Sequence, residues 1–114
     1  MNNCRLTYNS TDDNPVEGVI SINSEAFPIP PDSIVIAFVQ ELNTTTKIID
    51  DIEILENDTG NDWENGKING IFSKAASAAL SAYHNTMVTV CVRATINGHT
   101  ETWTKPVMAQ HLAS

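Results

Sequence analysis

At 114 residues and 12.4 kDa the chain is expected to form one domain, residues 1–114, burying roughly 65% of the surface its unfolded form exposes and folding without staples or metals. Six Lys+Arg against 14 Asp+Glu give a net charge of −8, which repels phosphate backbones and anionic lipid and makes nucleic acid and membrane surfaces poor partners. With 41% apolar and 18% charged residues the composition argues against disorder, and Asn and Thr, 12 of each, supply the polarity that charge does not.

From the amino end, Met1 leads into Asn2, Asn3, Cys4 and Arg5 with no run of about seven apolar residues behind them, so no secretory leader is expected. The longest apolar run, residues 34–39, is far short of the roughly 18 residues of a membrane span. The expected setting is the cytoplasm or a virion. Cys4 and Cys91 have no CxxC neighbour and are expected to be reduced thiols. The sequons at Asn9, Asn43 and Asn57 are what chance produces in a chain so rich in Asn and Thr.

Residues 16–22 form the first predicted strand, with Val16, Gly18, Ile20 and Ile22 on one side. The prolines of residues 28–32 (PIPPD) interrupt any ladder and predict an extended connection. Residues 33–42 are apolar on both faces, Ile34, Ile36 and Phe38 on one and Val35, Ala37 and Val39 on the other, as in a central strand. After a polar turn at 43–46, residues 47–56 read as a strand with Ile48, Ile52 and Ile54 on one face, although Ile49 breaks the alternation and a helix stays open. Residues 57–69 read as a long polar loop. Residues 73–83 (SKAASAALSAY) hold five alanines and predict a short helix capped by Ser73, with Phe72, Ala76, Ala79, Leu80 and Tyr83 on one face. Residues 87–96 alternate as a strand, Asn97 and Gly98 predict a tight hairpin turn, and residues 99–104 pair back.

Several short strands, regular turns and one late helix predict an all-β, antiparallel β-sandwich. The segment 88–107 resembles the last two strands of a fibronectin type III domain. It carries Val88, Val90, Val92 and Ala94 at alternate positions, then Asn97 and Gly98, then Trp103, Thr104, Lys105 and Pro106. The family places Tyr where Val88 stands and Ser where Thr104 stands, and its early-strand Trp has no counterpart in residues 34–42. The resemblance implies an immunoglobulin-like sandwich that serves as a non-enzymatic binding or spacer module.

The stretch 50–64 gathers Asp50, Asp51, Glu53, Glu56, Asp58, Asp62 and Glu64, and oxygen-rich loops of this kind hold calcium. Counted from Asp58, however, Trp63 stands where an EF-hand needs Gly and Asn69 where it needs Glu, so a solvated loop without metal is expected. His84, His99 and His111 lack ligand spacing, and there is neither a nucleophile elbow nor a phosphate loop. No cofactor and no enzymatic activity are expected. Trp63, in a polar loop, and Trp103, among threonines, are candidate contacts for a protein or a sugar ring. Val35 and Val39 lie on the second apolar face of their strand, which must meet the helix or another chain. The predicted function is structural or assembly work through protein–protein contacts, including self-assembly, as in a virion decoration or tail component. The alternative is a carbohydrate-binding or adhesive module that uses Trp63, Trp103 and the acidic loop 50–64.

Overall fold

Alternating apolar residues build most of the chain into strands. The computed structural model describes residues 3–8, 10–11, 14–15, 18–23, 29–58 and 60–111. Asn9, Val16 and Pro28 lie outside the described residues, as do the side chains of Cys4 and His111. In chain order the elements are β1 (Asn3–Tyr8), β2 (Ser10–Thr11), β3 (Asn14–Pro15), β4 (Gly18–Asn23), β5 (Ile34–Glu41) and β6 (Lys47–Ile54). A 3-10 turn (Trp63–Asn65), β7 (Lys67–Phe72), α1 (Lys74–Ser81), β8 (Met87–Ile96), β9 (His99–Met108) and β10 (Gln110–His111) complete it. No helix among the described residues is long and apolar enough to cross a membrane.

The strands form two sheets, ordered β10-β1-β4-β7 and β6-β5-β8-β9, with β2 and β3 paired separately. All neighbours are antiparallel except β1 and β10. One apolar cluster joins the sheets: Ile20, Ile22, Ile68 and Phe72 from the first meet Val35, Ala37, Val39, Val90 and Val92 from the second. Asn97 and Gly98 turn the β8–β9 hairpin with φ of 52° and 78°, the left-handed backbone that such a tight turn requires.

Two six-residue strands were not expected from the sequence, nor were the two-residue β2, β3 and β10, and β9 runs to Met108, past the predicted 99–104. Residues 3–8 (NCRLTY) carry no regular apolar alternation, yet they pair with β4 along five residues. Strand β7 rises from what reads as loop: Ile68, Gly70 and Phe72 face inward, and Gly70 hides the period because it has no side chain. A Cβ on Gly70 would stand 3.0 Å from Ile54 Cδ1, so the facing isoleucine takes the space that a side chain would need.

The helix occupies residues 74–81, inside the predicted 73–83, and Ser73 Oγ accepts a hydrogen bond from Ala76 N at 3.1 Å. Its buried stripe is Ser77 and Leu80, with Ala79 exposed, so the predicted face is rotated. Tyr83 anchors the far end by donating a 2.5 Å hydrogen bond to Glu41 Oε1.

A candidate docking groove beside a bulged edge strand

The four residues singled out in the sequence do not meet in one site. Trp63 is only 4% exposed and belongs to the core. Its Nε1 donates to Asn61 Oδ1 at 3.1 Å, and its carbonyl accepts from Ile29 N at 2.8 Å. Asn61 also joins both ends of its loop, taking a hydrogen bond from Asn69 N and giving one to Asn69 O. The expectation of Trp63 as a contact for a protein or a sugar ring is therefore corrected at this residue: its ring is buried in the core and is not offered for stacking. Trp103 sits opposite Val92 on β9, half-buried against the core.

Val35 and Val39 are 0% exposed and face the opposite sheet within the same chain. The expectation that the helix or another chain covers this face, with Val35 and Val39 as binding contacts, is therefore corrected: the facing sheet covers it. The outward face of β5 is the other one, where Ile34 is 53% exposed. Beside it, Phe38 is sheltered by two cations, with Lys47 Nζ 4.7 Å and the Arg93 guanidinium 5.8 Å from the ring centre.

The acidic stretch divides in the same way. Asp51 accepts from Lys47 Nζ at 2.8 Å and from Arg93 Nη2 at 2.9 Å. The hydrogen bond from Lys47, helped by Arg93, holds its carboxyl below the ordinary carboxylate value against the opposing effect of desolvation. Asp58 caps Leu55 N, and Asp62 accepts from Asn65 Nδ2. No group of three or more metal-ligating side chains assembles among the described residues.

The feature that sequence reading missed lies on β6. Ala37 pairs with Ile52 and Val39 with Ile49, so β6 spends three steps where β5 spends two. A second extra residue falls between Ile49 and Lys47. These bulges explain why Ile49 breaks the alternation: one resets the register so that Ile49, Ile52 and Ile54 all turn toward the core. The same stretch carries Asp50 and Asp51. Asp51 reaches Lys47 and Arg93, while Asp50 is exposed and makes no ion pair among the described residues.

β6 ends one sheet and β7 ends the other. Between them and α1 runs a groove of about 470 Å³, lined by residues 48–52, by Ile71, Phe72 and Ser73, and by Ala75, Ala76 and Ala79. Five consecutive β6 residues line it, so the strand presents its edge and not one face. Small alanines keep the helix wall low, and Ile71 stands 51% exposed on the opposite wall. Among the described residues its lining is mostly apolar, with Asp50 and Asp51 as the ionisable members. No protein-family model and no curated protein matches this chain.

Proposed function

We propose that this protein is a non-enzymatic assembly module, built as an immunoglobulin-like sandwich, that binds another protein through the groove beside β6. The observation that carries the reading is the coincidence of a sheet edge that pairs with no further strand among the described residues with exposed apolar side chains, Ile71 foremost. The strand order supports the sandwich: with β1, β4 and β7 as strands A, B and E, the other sheet reads C′, C, F and G. A component of a larger particle, such as a virion, is one setting in which such a module works.

The test is sedimentation of extracts from the cells or particles that make the protein. It should travel in a complex heavier than its own 12.4 kDa. Ile71→Asp, at a half-exposed position, should keep its melting temperature and leave the complex. Wild-type chain that sediments alone throughout overturns the reading.

A further inference from the structure

The shape and charge of the groove also select its occupant, and this step rests on the protein-binding reading above. We infer that the groove takes a basic, extended segment of a partner protein, with an apolar side chain against Ile71 and Ile52 and a neighbouring Lys or Arg facing Asp50. Three observations carry this.

Among the described residues, the ionisable ones lining the groove are Asp50 and Asp51. Asp51 already holds Lys47 and Arg93, whereas Asp50 makes no ion pair among the described residues. A cation from outside therefore completes Asp50 without displacing an internal partner. The apolar floor suits the methylene stem of a Lys or Arg as well as an aliphatic neighbour.

The net charge of −8 works over a longer range. It draws a basic segment toward the rim and repels a second copy of this chain, so self-docking is disfavoured on electrostatic grounds.

The bulges decide how the segment is held. They fall at residues 48–51, along the part of β6 that borders the groove. A strand interrupted twice in four residues cannot offer a regular ladder to a newcomer, and bulges are a common protection of sheet edges against indiscriminate pairing. Recognition must therefore come from side chains, an apolar anchor and a cation, more than from an added strand. That arrangement confers selectivity for sequence, which backbone pairing alone does not.

A library of random displayed 12-residue peptides, panned on the full chain at low salt, provides the test. Enriched peptides should carry Lys or Arg within two positions of an aliphatic residue. A synthetic copy of the commonest one, labelled for anisotropy, should bind Asp50→Asn about threefold more weakly. Ile71→Ser should weaken it about tenfold. Added salt should weaken binding to wild type more than to Asp50→Asn. Melting curves confirm that both variants are folded. Enrichment of acidic or uncharged peptides, no enrichment, or binding indifferent to both substitutions overturns the inference. A complex that dissociates with Ile71→Asp while no basic peptide is selected leaves the assembly reading standing and removes only this one. Basic peptides selected by a chain that sediments alone would do the reverse.

Discussion

Ser77 holds a core position with a hydroxyl that has no hydrogen-bond partner among the described residues. Its backbone N–H is satisfied by Ser73 O, so among the described residues it is the side chain that lacks a partner. An unpaired buried hydroxyl costs about 1–3 kcal/mol, and alanine fills nearly the same volume while favouring helix. Ser77→Ala is therefore expected to stabilise the protein by about 1 kcal/mol in urea denaturation. A loss of stability would mean that the hydroxyl is satisfied. Cys91 differs in chemistry but not in burial. Its Sγ lies 3.6 Å from Gln40 Oε1, and burial pushes the thiol pKa up, so it behaves as a small apolar residue between Phe38 and Thr104.

At the scale of the element, β6 turns a local irregularity into two separate surfaces. The bulge carries Asp50 and Asp51, both lining the groove, and Asp51 also holds Lys47 and Arg93, the two cations beside the Phe38 ring. The folded pKa of Asp51 lies below its ordinary 3.8. Its contribution is thus fully present above that value and is lost as the pH falls through the lowered one. The site is partly exposed, so Asp51→Asn should cost only about 0.5 kcal/mol at neutral pH. The gap between wild type and variant should close in acid. A gap that stays constant through acid would show that the carboxylate is not titrating against its two cations. The helix shows the same economy. It is too short to be stable alone, and Ser73, the buried Leu80 and the Tyr83 contact with Glu41 hold it against the rest of the chain.

For the whole molecule, the important fact is that one apolar cluster spans both sheets, the helix and the 3-10 turn. Among the described residues neither sheet has a buried cluster of its own, so the parts should unfold together. Trp63 lies in this cluster and Trp103 packs against it, which makes indole fluorescence a reporter of the core. Thermal unfolding followed by fluorescence and by far-ultraviolet circular dichroism should give superimposable transitions. A fluorescence change that precedes the loss of strand signal would show that the core opens while the sheets persist.

Where a signal is local, it is legible in the residues. The alternation of 87–96 and the turn at Asn97 and Gly98 define a hairpin on their own, because side-chain period and positive φ are properties of neighbours in sequence. Ser73 and the following alanines mark the start of the helix for the same reason. Strand β7 is hard to see in the sequence because Gly70 occupies an inward position, and what crowds that position is Ile54, 16 positions earlier in the chain. Trp63 and Val39 show the same limit for the candidate site. A Trp in a polar loop and a strand apolar on both faces both suggest a binding surface, but burial depends on which distant segment lies opposite. Here Ile29, Asn61 and the facing sheet cover them. The groove is the extreme case: its walls come from β6, β7 and α1, and it exists only because two sheets end side by side. Composition and periodicity determined that this chain is an acidic, strand-rich protein with one hairpin and one short helix. Tertiary packing decided which of its apolar faces are closed by the facing sheet and which side chains line the groove beside β6, since that choice depends on contacts between residues far apart in sequence.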